Sequence, residues 1–263
     1  MTTIDLGTRH LRLERDGHLA TLTIDRPQAR NALSRAMYFG IKRAVEAVNA
    51  LDEPTALIIT GTDDVFAPGG ELRGQEDDAY PELDILTSSD VIPFEAVRQS
   101  PAPVVSAVNG ICQGGGLLVA MLSDVAVVSE RATFRAPEVL RGIADMGYAA
   151  YLPPQVGIAM ARDMLVTGRK LDADEAVACG LVSRKVPHDE LMPTAIEVAE
   201  AMLQGAPHAR FEIKRVINAG YGLVDYMTFF DSIRGNESRE GMRAFAEKRS
   251  PAWVPENLKT GRL

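Results

Sequence analysis

Residues 110–121 read GICQGGGLLVAM, three successive glycines followed at once by an unbroken apolar run. Glycine loses more freedom on folding than any other residue and brings no side chain to bury, so a triplet marks a place where another group must approach the main chain closely. The segment behind it carries no charged residue and reads as short helical material. Residues 103–108 and 124–129 flank it as short apolar strands. The same order occurs earlier. Residues 18–25 alternate as a strand should, Leu33, Met37, Ile41, Val45 and Val48 recur at helical spacing with Ser34 as a cap, and residues 56–61 form a second strand. The glycine-rich turn VFAPGGELRG follows at 65–74. Two strand-helix-strand units, each with a glycine turn after a strand, make this an α/β chain.

Beyond about residue 155 the pattern turns helical, with a short helix in residues 172–180 closed by Gly180 and a longer one in 189–204. No strand signal of comparable strength follows Val186. Residues 72–100, which include QEDDAYPELD, are polar and irregular and read as a loop over a site or a surface insertion. With 263 residues, 46% of them apolar, the chain can bury a sizeable core. Its net charge of -8 and scattered basic residues argue against a general nucleic-acid binder, which needs clustered cations. Cys112 and Cys179 lie in apolar segments and read as reduced thiols, which fits a cytoplasmic protein. The first residues carry charge where a signal peptide needs an apolar run, and no segment reaches the roughly 18 apolar residues of a membrane span.

The common catalytic signatures are missing: there is no G-x-S-x-G, no G-x-x-x-x-G-K-[ST], no G-x-G-x-x-G, no H-E-x-x-H and no paired C-x-x-C. His10, His18, His188 and His208 stand apart from the glycine turns in sequence. A serine hydrolase, a P-loop NTPase and a zinc enzyme all lose support.

Six fragments in order are informative together: RPQARNALS at 26–34, LIITGTDDVFAPGGEL at 57–72, the stretch 103–134 around the glycine triplet, APEVLRGI at 136–143, TGRKLDADEAVACGLVSRKVP at 167–187 and EGMRAFAEKRSPAW at 240–253. With them the chain resembles the enoyl-CoA hydratase/isomerase (crotonase) superfamily over nearly its whole length. The resemblance implies a spiral of strand-strand-helix turns over residues 1–200 and a C-terminal helical region over 201–263 for oligomerisation and CoA contact. It also implies an acyl-CoA thioester substrate, a homotrimer or homohexamer, and neither a metal nor a redox cofactor, coenzyme A entering as part of the substrate.

Site residues follow from the same resemblance. Gly70 and Gly115 match the two backbone N–H groups that form an oxyanion hole for the thioester oxygen, so a side chain at Gly115 is expected to obstruct the thioester. Ala29 matches the strip that holds the CoA nucleotide, and Phe245 and Lys248 match C-terminal residues that reach the CoA moiety. Glu138 matches a family glutamate and is expected to act as the catalytic base. Where hydratases carry a second glutamate, this chain has Leu118. Adding water is helped by two carboxylates, whereas moving a double bond needs one base. The expected reaction is therefore isomerisation of 3-enoyl-CoA to 2-enoyl-CoA. Asp145 falls near the place where some relatives keep a catalytic aspartate and equally suits a helix cap. With a catalytic Asp145 the chain reads as an enoyl-CoA hydratase; from another class, it reads as a non-catalytic acyl-CoA-binding or RNA-associated protein of this fold. Met146, Tyr148 and Tyr151 are candidates either for the acyl pocket, beside Leu118, or for the core.

Overall fold

The computed structural model describes residues 4–71 and 92–259. Strands β1 (Leu11–Asp16) and β2 (Leu19–Ile24) form an antiparallel hairpin, and helix α1 (Arg35–Asn49) crosses to β3 (Ala56–Gly61) and β4 (Val65–Ala67). After α2 (Phe94–Arg98), the chain makes two further turns of one kind: β5 (Val104–Val108), β6 (Ile111–Gln113) and α3 (Gly115–Leu122), then β7 (Val125–Ser129), β8 (Thr133–Arg135) and α4 (Met146–Val156). The remaining elements are α5 (Ile158–Thr167), β9 (Lys170–Asp172), α6 (Ala173–Ala178), β10 (Arg184–Val186), α7 (Leu191–Leu203), α8 (Pro207–Asn218), α9 (Tyr226–Arg234) and α10 (Asn236–Glu247).

Each turn gives its longer strand to one sheet and its shorter strand to the other. The larger sheet runs β1-β2-β3-β5-β7-β10, parallel from β2 onward; the smaller runs β4-β6-β8-β9. This is the expected spiral with a C-terminal helical region. Both faces of the larger sheet are covered, which explains its continuous apolar strands. In β3, Leu57 and Ile59 face the main core, while Ala56 and Ile58 pack with Leu191, Ala195 and Val198 of α7. Helix α3 lies inside the main core, with every side chain from Leu117 to Leu122 buried, hence its lack of charge. Ser34 caps α1 by accepting a hydrogen bond from Met37 N at 3.2 Å.

Several elements differ from the sequence expectation. Strand β1 was hidden in LRLERD, whose polar residues alternate with Leu11 and Leu13 on the edge of the sheet. The short strands of the smaller sheet are too brief to show an alternation of their own, and β9 and β10 interrupt the region read as helical. Of the polar stretch 72–100, residues 72–91 lie outside the described ones, and the rest contains α2, held by the Arg98–Glu95 pair at 2.7 Å. Cys112 is buried and Cys179 half-buried, both as free thiols. Among the described residues, no helix is long and apolar enough to cross a membrane.

The C-terminal helices are anchored through Lys214 of α8. Its ammonium lies 2.9 Å from Asp124 Oδ1 and donates to the carbonyls of Ser100 and Val97 at 3.0 and 3.3 Å, while Asp124 Oδ2 accepts from Val104 N at 2.8 Å. Removing one partner of a buried pair leaves the other charge uncompensated. Lys214→Ala is expected to lower unfolding free energy by about 3 kcal/mol, measured by urea denaturation; a loss within experimental error of zero would show that α8 is held by other contacts.

Candidate active site

The three glycines each answer a different demand. Gly114 caps α3 at φ 52°, ψ -135°, a backbone conformation that residues with a Cβ rarely adopt. A Cβ on Gly116 would fall 2.4 Å from the carbonyl oxygen of Ala67, so glycine here lets α3 lie against β4. A Cβ on Gly115 would fall 2.0 Å from Tyr38 Oη. The nearest protein obstacle at Gly115 is therefore the tyrosine of α1, which lines the same cavity as the glycine.

Gly115 is the first residue of α3, where a helix leaves its N–H groups without acceptors. Among the described residues neither this N–H nor that of Gly70 has an acceptor. Both are aimed through the preceding carbonyl, because in a trans peptide C=O and N–H point oppositely. The Gly114 carbonyl accepts from Tyr148 Oη at 2.6 Å and from Leu118 N at 3.2 Å, while the Gly69 carbonyl accepts from Leu33 N at 2.9 Å. With both carbonyls tied back into the protein, the Gly115 and Gly70 N–H groups are fixed at the wall of a cavity of about 880 Å³.

This cavity gathers Gly70, Gly115, Leu118, Glu138, Asp145, Tyr151 and Phe245. It does not gather four other residues singled out from the sequence. Tyr148 is fully buried behind the glycine turn and serves it through the hydrogen bond just described. Met146 does not line the cavity either. Ala29 sits in a 3-10 turn, its N–H donating to Arg26 O at 3.0 Å and its carbonyl accepting from Ala32 N at 3.1 Å. Lys248 is exposed at the C-cap of α10 with φ 55°. Tyr38, Arg135 and Arg141 also line the cavity, and sequence reasoning passed over all three. Tyr38 adjoins the apolar stripe of α1, and the only signal for Arg141 was its place three residues beyond Glu138.

Glu138 opens a 3-10 turn, Glu138–Arg141, and reaches back to the glycines: a Cβ on Gly114 would stand 3.0 Å from its Oε1, and its Oε2 has no hydrogen-bond partner. Asp145 is the N-cap of α4, accepting from Tyr148 N at 3.1 Å, and it also lines the cavity. The point where a Gly147 Cβ would stand is 3.1 Å from Asp145 Oδ1 and 3.7 Å from Leu118 Cδ1, so the aspartate comes up beside the leucine. Burial pushes the Glu138 carboxyl up to about 8, and the neighbouring Asp145 charge adds to the rise. Burial pushes Asp145 up to about 6, while the N–H groups of Tyr148 and Gly147 hold it down. Tyr38 is raised far above the ordinary phenol range by burial and by both carboxylates, so it keeps its proton. The arrangement offers two fixed N–H donors and, near neutrality, one ionised and one protonated carboxyl.

The contact between Tyr38 and Gly115 makes a prediction about packing. Gly115→Ala should destabilise the protein by about 1–3 kcal/mol, the usual cost of overfilling a packed site. In a Tyr38→Ala background the same change should cost much less. Equal losses in both backgrounds, measured by thermal unfolding, would mean that the tyrosine is not what the glycine accommodates.

Residues 14–256 match the sequence profile of the enoyl-CoA hydratase/isomerase family. Mevalonyl-coenzyme A hydratase sidH of Aspergillus fumigatus is 34% identical over 253 residues, covering 92% of this chain and 93% of that protein. The crystal structure of an enoyl-CoA hydratase/isomerase from Pseudoalteromonas atlantica superposes with a TM-score of 0.81 at 31% identity, covering 94% of this chain and all of that one. A monofunctional enoyl-CoA isomerase from M. smegmatis gives a TM-score of 0.69 at 30% identity over 81% of this chain and 94% of that one. The names of the matched relatives are mainly those of hydratases.

Proposed function

The chain belongs to the enoyl-CoA hydratase/isomerase family, and from that premise we propose that it adds water to, or removes it from, the double bond of an acyl-CoA thioester, with Glu138 and Asp145 as its acid-base pair. The observation that carries this reading is the place of Asp145: its carboxylate reaches the cavity beside Leu118, near the position from which the sequence had seemed to deny water a second carboxylate. The mainly hydratase names among the relatives support it.

The thioester oxygen sits between the N–H groups of Gly70 and Gly115, whose fixed dipoles stabilise the negative charge that builds on it as the enolate forms. Gly115 adds the favourable field of a helix N-terminus. Asp145, ionised near neutrality, takes a proton from water as the water oxygen bonds to the β-carbon. Glu138, protonated, delivers its proton to the α-carbon. A proton moving back from Asp145 to Glu138 resets the pair, and dehydration runs the same steps in reverse. The Tyr38 hydroxyl stands at Gly115 in the wall of the cavity, where it can donate to the same thioester oxygen.

Residues 1–200 carry the reaction in this reading, while residues 201–263 assemble subunits and meet CoA through Phe245 and Lys248. Exposed Ile213, Val216 and Ile217 on α8, Leu223 in the following loop, and Met227 on α9 supply an apolar surface for a homotrimer or homohexamer. A second reading, isomerisation of 3-enoyl-CoA to 2-enoyl-CoA by Glu138 alone, is favoured by the apolar Leu118 and by the likeness to the M. smegmatis isomerase.

The two readings differ in their pH dependence. Hydration needs one carboxyl ionised and the other protonated, so its kcat/KM should be bell-shaped in pH. It falls below about 6, where Asp145 gains a proton and no base remains, and above about 8, where Glu138 loses its proton and no acid remains. Isomerisation by Glu138 alone needs that residue ionised and should rise with pH to a plateau above about 8. Following both reactions on the native protein with matched chain lengths decides between them. Asp145→Asn should lower hydration by about 10²-fold or more, and Glu138→Gln should abolish turnover while acyl-CoA binding survives. A native hydration rate in Asp145→Asn would refute the two-carboxylate mechanism.

A further inference from the structure

Arg141 is a buried cation that the proposed proton chemistry does not use. It closes the same 3-10 turn that Glu138 opens, and residues three apart on such a turn share a side, so both side chains leave one wall of the cavity. Only 9% of it is exposed. The guanidinium carbon lies 4.0 Å from the centroid of the Phe245 ring, a contact that holds the group in place without using its N–H donors in their plane. Its Nη1 is sealed from solvent and has no hydrogen-bond partner, and among the described residues Arg141 forms no ion pair.

The groups around it do not cancel this charge. Arg135 also lines the cavity and repels Arg141. Glu71, another lining residue, is already taken by Arg26 at 3.0 Å. Glu138 is the carboxyl whose charge acts on both guanidinium groups, and burial raises it enough to leave it protonated near neutrality, so among the described residues it does not offset them. A buried guanidinium with an idle donor is costly in the empty protein, and that cost is recovered when an anion arrives with lone pairs to accept from it.

We propose that Arg141 receives a carboxylate carried by the acyl chain, so that the preferred substrates are CoA thioesters of dicarboxylic acids. The proposal rests on the acyl-CoA reading of the cavity. The anions of CoA itself are a poorer match, because the pantetheine arm holds the phosphates far from the thioester, whereas Arg141 shares a single turn with the residue assigned to the reacting carbons. Phe245 then has a task of its own: it fixes the plane of the guanidinium so that the idle Nη1 edge stays available. An acyl chain ending in a quaternary ammonium should be repelled.

Saturated thioesters test this without any turnover, so the outcome is independent of whether the protein hydrates or isomerises. Succinyl-, glutaryl- and adipyl-CoA are compared by calorimetry with butyryl-, pentanoyl- and hexanoyl-CoA, alongside free CoA, on the full chain and on Arg141→Met and Arg141→Lys. At least one dicarboxylic probe should bind the native protein on the order of ten- to a hundredfold more tightly than its uncharged counterpart, the worth of a hydrogen bond to a charged group. Arg141→Met should remove that preference and leave the uncharged probes and free CoA within about twofold of native affinity, while Arg141→Lys, which keeps the charge and loses the planar fork, should restore part of it. The proposal is overturned if no dicarboxylic probe is preferred, or if Arg141→Met weakens every probe and free CoA alike, which would place the arginine on a CoA phosphate. Should the variants fail to fold, the native series decides alone. Loss of hydration with retention of the preference would count against the reaction and not against the anion site.

Discussion

The 2.6 Å hydrogen bond from Tyr148 to the Gly114 carbonyl sets the direction of the site. A backbone N–H cannot be steered by a rotamer; it is aimed only by fixing its peptide plane. Gly114 is the residue least able to fix itself, since its conformation is open to glycine alone. The hydroxyl of a fully buried tyrosine on α4 supplies the missing constraint, and Leu33 supplies the equivalent one for the peptide before Gly70. Helices α3 and α4 and the strand ends that carry the two glycine turns must therefore keep their relative places for both donors to converge. This links the packing of the spiral to the proposed chemistry, because an oxyanion hole stabilises charge only when its dipoles need not move to meet it.

Tyr38 binds a third element to the same point. It projects from α1 onto the space above Gly115, so one glycine must stay bare to admit a tyrosine that itself lines the cavity. The sequence reading linked the bare backbone at Gly115 to the approach of a thioester. The structure divides the triplet among three neighbours: a backbone turn at Gly114, a tyrosine at Gly115 and the β4 strand at Gly116. A run of identical residues thus carries three separate constraints, and a substitution at each would fail for a different reason.

Much of the larger sheet was legible, since β2, β3, β5 and β7 are apolar strands buried on one or both faces, and α1 announces itself through its stripe and its serine cap. The smaller sheet was not, because strands of three residues have no room for a periodicity. Gly70, Gly115, Glu138 and Asp145 were found through the resemblance and come together in one cavity. Tyr148 was left between pocket and core because helical spacing shows that a residue faces inward without saying whether it meets a ligand or the carbonyl behind it. Arg141 was missed because the idle donor that distinguishes it is a property of its surroundings, invisible in APEVLRGI.

The unequal acidity of the two carboxyls has an origin in the same capping geometry that argued for a structural role of Asp145. Both groups are desolvated, which raises both. Asp145 caps the eleven-residue helix α4, where the N–H groups of Tyr148 and Gly147 meet its charge and the helix dipole has the stabilising sign, whereas Glu138 opens only a single 3-10 turn. Among the described residues Glu138 Oε2 has no donor, so the proton settles there. Cap and proposed acid-base group are then not competing descriptions of Asp145: the cap makes the aspartate the stronger acid and so leaves it ionised beside a protonated partner. An enclosed apolar helix such as α3 could supply a second carboxylate only by burying its charge without such donors, whereas the first turn of α4 supplies one with its counter-dipole already in place.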